Sequence, residues 1–339
     1  MNGTVMLTGI SGYIGLHCAT QLLEEGFAVR GSVRSSNKKR EVIDTLTETS
    51  VDISRLSIVE LDLTLDSEWE AAVSGCDYVM HVASPYVVAN PKHESEIITP
   101  AVGGTLRVLR ASEKAGVKRV VLTSSALAMM GSLKNATFGP NDWADTDSPD
   151  LGTYAKSKIL AEKAAWDFIS DLGEGNEMEM VSINPGIVFG PPVGRNISGQ
   201  SMSMLDQMLR GKVPMVPNTA CPAVDVRDVA LLHVKALTNP DVVGKRIIAS
   251  TSEPHGFAEV AQILKDEGYK GPSTRVAPNL LLRIAAIFDR EAKGMLGFLD
   301  MDLTADNSAT RQLFDWSPIP FTKTVLDSAV AVKRIQDSS

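Results

Sequence analysis

The chain has 339 residues, of which 44% are hydrophobic, so it can bury the core of one large domain or two smaller ones. Its formal net charge of −8 disfavours nucleic acids and anionic membranes as partners, because both are themselves acidic. Three widely spaced cysteines without a CxxC pair are typical of a reduced, cytoplasmic protein. The first apolar strand is expected almost at Met1, which leaves no room for a signal peptide. The apolar stretch 280–288 contains Arg283 and is too short to span a bilayer.

Strand and helix patterns alternate through the first half of the chain, as in a doubly wound parallel sheet. In chain order we expect strand 5–8, a helix to residue 25, strands 28–33, 56–60 and 78–81, a helix from about 94 to 115, strand 120–123, a helix from 152 to about 172, and strand 180–183. The regularity then fades. The remaining expected elements are a helix near 201–210, strands at 224–226 and 246–249 that return to the sheet, and a mostly helical segment from 256 onward.

The turn after the first strand carries three glycines, Gly9, Gly12 and Gly15, in the pattern GxxGxxG. Gly9 permits a tight turn, Gly12 lets the backbone approach a pyrophosphate, and Gly15 lets the helix pack closely on the strand. The N–H groups and positive dipole end of the helix then face the anion. Strand, glycine turn and helix in this order favour dinucleotide binding over a plain turn.

These patterns predict an α/β fold with a doubly wound parallel Rossmann sheet and a smaller, mostly helical C-terminal substrate domain. We assign residues 1–190 and 223–252 to the nucleotide-binding domain. Residues 191–222 and 253–339 are assigned to the substrate-binding region, which is therefore discontinuous in sequence.

The end of the second strand favours NADP(H) over NAD. NAD-binding proteins carry an acidic residue there for the ribose hydroxyl, whereas residues 26–40 contain no carboxylate. Arg34 is a planar donor suited to a 2′-phosphate. The alternative is a solvated basic turn. The spacing does not decide which nearby cation assists Arg34: Lys38, Lys39 or Arg40.

Tyr154 and Lys158 are four residues apart, so a helix places both on one face. Upstream, the apolar strand 120–123 ends in hydroxyls that include Ser125, and downstream the strand 180–183 ends in a turn. In this order the features resemble the extended short-chain dehydrogenase/reductase superfamily. Within it the chain is most similar to the dihydroflavonol reductase and cinnamoyl-CoA reductase group, which includes fungal and bacterial aldehyde and ketone reductases. Matching segments at 81–85, 100–106, 184–191 and 224–229 extend the resemblance over nearly the whole chain.

The resemblance implies three catalytic residues. Tyr154 would protonate the carbonyl oxygen as hydride arrives. Lys158 would favour the phenolate by its positive charge and hold the nicotinamide ribose. Ser125 would hydrogen-bond the substrate oxygen and stabilise its developing charge.

It also implies the cofactor-binding residues. Asp62 and Leu63 would contact adenine, although a lone Asp after a strand is more often a turn or helix cap. His81, in a buried strand and without a metal-spaced partner, is expected to be a core histidine; no metal site is expected. The full expected set is Gly9, Gly12, Tyr13, Ile14, Gly15, Arg34, Lys39, Asp62, Leu63, Ala83, Ser84, Tyr154, Lys158, Pro185, Ile187 and Val188.

Signals for the substrate are fewer. Residues 126–130 lack the Asn that plant dihydroflavonol reductases place just beyond this Ser, which argues against a flavonoid. Met202, Met204 and Met208 predict either an adaptable apolar wall or ordinary helical core.

The leading hypothesis is an NADPH-dependent reductase of small apolar or aromatic aldehydes or ketones. The alternatives are a nucleotide-sugar epimerase or dehydratase of the same superfamily, and a non-catalytic NADP-sensing protein. Either a monomer or a homodimer is compatible with the sequence. In a homodimer, the helices near 94–115 and 152–172 would form a four-helix interface, as in many relatives.

Overall fold

The structure is a computed structural model that describes residues 2–85, 91–149, 151–173, 175–197, 199–288 and 290–338. Its strands, in chain order, are β1 (Thr4–Thr8), β2 (Ala28–Val33), β3 (Leu56–Glu60), β4 (Tyr78–His81), β5 (Arg119–Thr123), β6 (Asn135–Phe138), β7 (Glu179–Pro185), β8 (Ile187–Phe189), β9 (Ala220–Asp225), β10 (Arg246–Ala249), β11 (Pro254–Gly256) and β12 (Asp302–Ala305).

The helices surround these strands. In chain order they are α1 (Tyr13–Glu24), α2 (Ser36–Glu48), α3 (Trp69–Val73), α4 (Ser95–Lys114), α5 (Leu127–Met130), α6 (Thr153–Asp171), α7 (Gln200–Leu209), α8 (Val226–Ala236), α9 (Phe257–Asp266), α10 (Asn279–Phe288), α11 (Arg290–Met295), α12 (Ser308–Phe314) and α13 (Phe321–Asp337). Two 3₁₀ turns lie at Pro240–Val242 and Leu296–Phe298.

Seven strands form one parallel sheet in the order β3-β2-β1-β4-β5-β7-β10. The chain starts in the middle, at β1, and winds outward first to one edge and then to the other. The strand order therefore reverses between β1 and β4, which is where ligands bind in open α/β sheets. The predicted Rossmann fold class is confirmed, and residues 246–249 do return to this sheet as β10.

Alternate residues of β1 bury on opposite faces of the sheet, because successive side chains of a strand point in opposite directions. Val5 and Leu7 join the core on the side of α1 and α8, whereas Met6 joins the core on the side of α4 and α6. Helices cover both faces, so the inner residues of the central strands β1, β4 and β5 are apolar.

A second, smaller sheet corrects one prediction from the sequence. Residues 224–226 were expected to return to the main sheet, and this is wrong: β9 belongs to a sheet in the order β11-β9-β12-β6, with β8 paired to β9. β9 pairs with β8, β11 and β12 instead, whereas both edges of β7 are paired with β5 and β10. The small sheet extends the carboxyl end of the main sheet and brings residues far apart in sequence beside its switch point.

In the part of the chain that the structure describes, no helix is both long enough and apolar enough to cross a bilayer. The cytoplasmic location, the domain boundaries and the oligomeric state stay predictions. Helices α4 and α6, proposed for a dimer interface, pack against each other within the chain.

Candidate active site

A cleft of about 770 Å³ runs along the carboxyl ends of β1 to β5 and β7. It brings together most of the residues expected to be catalytic or cofactor-binding. Of that set, Lys39 and Asp62 are the two that do not line it. The predicted residues that line the cleft are Gly9, Gly12, Tyr13, Ile14, Gly15, Arg34, Leu63, Ala83, Ser84, Ser125, Tyr154, Lys158, Pro185, Ile187 and Val188.

The glycine turn between β1 and α1 leaves no room for side chains at two of its positions. Gly9 has φ +70°, and a Cβ there would lie 2.9 Å from the backbone of Ala83. A Cβ on Gly15 would lie 2.1 Å from the carbonyl oxygen of Gly9. No described side chain caps α1, and its first turn holds no acidic residue. The helix N terminus therefore presents free N–H groups to the cleft, as a bound pyrophosphate requires.

At one end of the cleft, Arg34 follows β2 and is exposed just before α2 begins. Lys38 lines the cleft with it and pairs with Glu41 at 2.6 Å. Lys39 is exposed outside the cleft, and Arg40 lines a neighbouring groove. This end is cationic and holds no carboxylate among the described lining residues, which fits the 2′-phosphate of NADP(H) rather than a free hydroxyl.

Asp62 forms a turn instead of facing the cleft. Its Oδ1 accepts hydrogen bonds from the backbone N–H and the hydroxyl of Thr64, both at 2.7 Å. These two bonds hold the pKa of Asp62 below its usual range. Leu63 does line the cleft, and its carbonyl oxygen accepts a 3.0 Å bond from Arg107.

His81 is a core histidine, as predicted. Its Nδ1 lies 2.8 Å from the hydroxyl of Thr8, and burial lowers its pKa to about 3. The ring is therefore neutral at physiological pH.

The other end of the cleft carries Tyr154 and Lys158 on one face of α6. The Lys158 Nζ lies 5.8 Å from the centre of the Tyr154 ring. Burial lowers the pKa of Lys158 to about 8, and the charge of Glu162 one turn further along opposes that shift. Ser125 follows β5, and its Oγ accepts a 3.2 Å hydrogen bond from the N–H of Leu127. The Ser125 hydroxyl, the Tyr154 phenol and the Lys158 ammonium thus belong to residues that line the same cleft.

An apolar wall of the cleft was not predicted. It is formed by Leu127 and Met130 of α5, Cys221 of β9 and Phe298 of the second 3₁₀ turn, and Tyr154 packs in the same hydrophobic cluster. Cys221 and Phe298 are distant in sequence from the catalytic motifs, and no local pattern marks them. Burial raises the pKa of the Cys221 thiol to about 11.

The three methionines of α7 belong to the core and not to this wall. Met202 and Met208 are fully buried, and Met204 packs against the same cluster. Of the two interpretations that the sequence left open, the structure supports ordinary helical core.

Comparison with known proteins agrees with this geometry. Residues 5–249 match the family described as NAD dependent epimerase/dehydratase. Cinnamoyl-CoA reductase 1 of Arabidopsis thaliana is 34% identical over 266 residues, which cover 77% of this chain and 74% of that protein. Ketoreductase azaE of Aspergillus niger is 31% identical and covers 91% of this chain and 97% of its own.

Among solved structures, yeast methylglyoxal/isovaleraldehyde reductase Gre2 complexed with NADPH superposes with a TM-score of 0.81 at 26% identity. The match covers 99% of this chain and 100% of that one.

Proposed function

Because the chain belongs to the NAD dependent epimerase/dehydratase family and is an NADP-dependent oxidoreductase acting on carbonyl groups, we propose that it reduces small apolar or aromatic aldehydes and ketones. The family membership assigns the superfamily, and the NADPH complex of yeast Gre2 supports the choice of cofactor. The substrate class and the roles of individual residues are inferred from the cleft.

The cleft residues divide the binding of the cofactor between them. The N–H groups at the start of α1 would hold the diphosphate, and Arg34 the 2′-phosphate. Pro185, Ile187 and Val188 line the far end, where the nicotinamide would lie against Lys158. When bound, NADPH supplies the hydride.

The chain's own residues supply the proton. Tyr154 would donate its phenolic proton to the carbonyl oxygen, and the nearby Lys158 ammonium favours the phenolate that remains. Ser125 would donate a hydrogen bond to the same oxygen and stabilise its negative charge. Ser125, Tyr154 and Lys158 all line the same cleft.

The apolar wall of the cleft supports the choice of substrate. Leu127, Met130 and Phe298 offer apolar surface, which stabilises a bound apolar group by about 25 cal/mol per Å² covered. The described part of this wall provides no cation to pair with the carboxylate of a keto acid. The single observation that carries the proposal is that the Tyr154–Lys158 pair and this apolar wall line the same cleft, where Tyr154 packs against the same hydrophobic cluster.

The test is initial-rate NADPH oxidation with four substrates at matched concentration: a benzaldehyde, a medium-chain aldehyde, a pyruvate-like keto acid and a UDP-sugar. We expect the two neutral aldehydes to have the higher kcat/KM. Faster reduction of the keto acid would contradict the substrate class. UDP-sugar conversion without net NADPH consumption would support the epimerase alternative, and NADPH binding without any turnover would support a sensing protein.

A further inference from the structure

Behind the proposed catalytic residues, α6 carries a buried carboxylate. Glu162 lies one helical turn after Lys158, and its side chain is 0% exposed. Both carboxylate oxygens accept hydrogen bonds, at distances between 2.5 and 3.2 Å. The donors are Ser124, Trp166, Ser182, Asn184 and Arg246.

The charge of this carboxylate is balanced inside the protein. The Nε of Arg246, at the start of β10, donates to Glu162 at 2.8 Å, and the arginine side chain is only 8% exposed. The same guanidinium donates to the carbonyl oxygens of Pro140 and Asp142 and lies 3.7 Å from the centre of the Trp143 ring. A buried ion pair with every hydrogen bond made is costly to break, because the partner left behind is an uncompensated charge.

This cluster forms hydrogen bonds with Ser124 and with the carbonyl oxygen of Ser125. The hydroxyl of Ser124 donates to Glu162 at 2.5 Å. The amide of Asn184 donates to Glu162 at 2.8 Å and also to the carbonyl oxygen of Ser125 at 3.2 Å. One carboxylate therefore links the end of β5, the second half of β7 and the start of β10, next to the Ser124–Ser125 segment.

We infer that Glu162 is a positioning residue for carbonyl reduction: with Arg246 as its counter-ion, it holds the Ser124–Ser125 segment so that the Ser125 hydroxyl meets the substrate oxygen. This inference rests on the proposed function. Glu162 is buried behind Ser124 and acts through it and Asn184.

A carboxylate suits this place better than an amide. Each neighbour of Glu162 is a donor, so an acceptor-only group satisfies all of them. A glutamine has nearly the same shape but directs its own N–H groups at donors. Glu162→Gln therefore disturbs the hydrogen bonds while leaving the volume almost unchanged.

The same two strands provide a matched control. At their amino ends, buried Arg119 of β5 pairs with Glu179 of β7 at 2.6 Å, far from the cleft. Glu179→Gln removes a partner of a buried arginine in the same sheet, although the Glu179 side chain is 40% exposed and that of Glu162 is 0% exposed. A merely structural role of Glu162 predicts that any loss of kcat follows the loss of melting temperature in both variants.

The experiment measures kcat, KM for a benzaldehyde, the NADPH dissociation constant and the melting temperature in both variants. We expect Glu162→Gln to lower kcat roughly tenfold to a hundredfold, the scale of a misplaced catalytic group. KM and the NADPH dissociation constant stay within about twofold, and Glu179→Gln keeps the wild-type kcat. Equal kcat in the wild type and Glu162→Gln, or equal losses in the two variants, would overturn the inference. A wild type without any carbonyl turnover would overturn the proposed function together with this inference.

Ser124→Ala keeps the Glu162–Arg246 pair intact and so decides the matter even if Glu162→Gln fails to fold. It is expected to lower kcat several-fold, and an unchanged kcat would overturn the inference. Where both single variants fold, the double variant should lose no more than Glu162→Gln alone, because both changes break the same link. Fully additive losses would show that Ser124 acts independently of Glu162 and would contradict the positioning role.

Discussion

The two halves of the cleft are built in different ways. The cofactor half consists of strand ends and a helix N terminus, and its tightest contacts are between backbone atoms, such as the space that Gly15 leaves for the Gly9 carbonyl. The substrate half consists of side chains from α5, β9 and the second 3₁₀ turn, which the small sheet helps to bring together. Backbone contacts can serve any dinucleotide, whereas side chains can change one at a time. We therefore expect the first half to be common to the superfamily and the second to determine the substrate.

The largest loss of activity is expected at Tyr154, where the two halves of the cleft meet. Tyr154→Phe removes the phenolic hydroxyl that we propose as the proton donor, so kcat should fall at least ~100-fold. NADPH affinity, measured by fluorescence titration, should stay near the wild-type value because the ring remains. Retention of most of the activity would rule out Tyr154 as the general acid.

The cofactor half should tolerate no added atom at its tightest point. Gly15→Ala places a Cβ 2.1 Å from the Gly9 carbonyl oxygen. Overpacking of this kind typically costs about 1–3 kcal/mol, and we expect a lower melting temperature and weaker NADPH binding. Gly103→Ala is the control, since a Cβ there meets only the flexible end of the Arg107 side chain. If Gly15→Ala matched the control, the turn would be less rigid than described.

Cofactor choice is expected to depend on Arg34, at the outer end of the same half. Arg34→Glu should weaken NADPH binding about tenfold or more, because a charge-assisted hydrogen bond contributes roughly 1.5–3 kcal/mol. The affinity for NADH relative to that for NADPH should rise. Lys39→Glu makes the same charge change outside the cleft and should leave the ratio of the two affinities almost unchanged. Equal effects in both variants would mean that only long-range charge matters.

The smallest effect belongs to the substrate half. Phe298→Ala removes part of the apolar wall. Loss of roughly 40 Å² of contact corresponds to about 1 kcal/mol, or about fivefold in KM for an aromatic aldehyde. NADPH affinity should not change. Phe288→Ala is the control, because Phe288 is 85% exposed and does not line the cleft. A raised KM for NADPH in Phe298→Ala would show that the halves are not independent.

The same division explains what the sequence could predict. Strands β1 to β5, the glycine turn and the Tyr154–Lys158 pair carry local patterns of spacing and burial, and the structure places them together in one cleft. The strand expected at 224–226 was assigned to the wrong sheet, because its partners β8, β11 and β12 are set by tertiary packing and not by local spacing. Phe298 and Cys221 carry no local signal, since only the tertiary packing of the small sheet brings them to the cleft.

The Glu162 cluster shows a further limit. Its members are ordinary polar residues on one helix and three strands, and nothing in their sequence spacing marks them as partners. Hydrogen bonds between side chains become predictable only after the strand order is known.

The burial of Cys221 affects how readily its thiol reacts with carbonyl compounds. Aldehydes are electrophiles that modify thiolates, and the thiolate is the reactive form of cysteine. Burial raises the pKa of Cys221 to about 11 and also raises the pKa of Cys18 and Cys76, the other two cysteines of the chain. At neutral pH all three are protonated and shielded from solvent. A carbonyl compound bound in the cleft as we propose would therefore meet Cys221 as the protonated thiol, which is a weaker nucleophile than the thiolate.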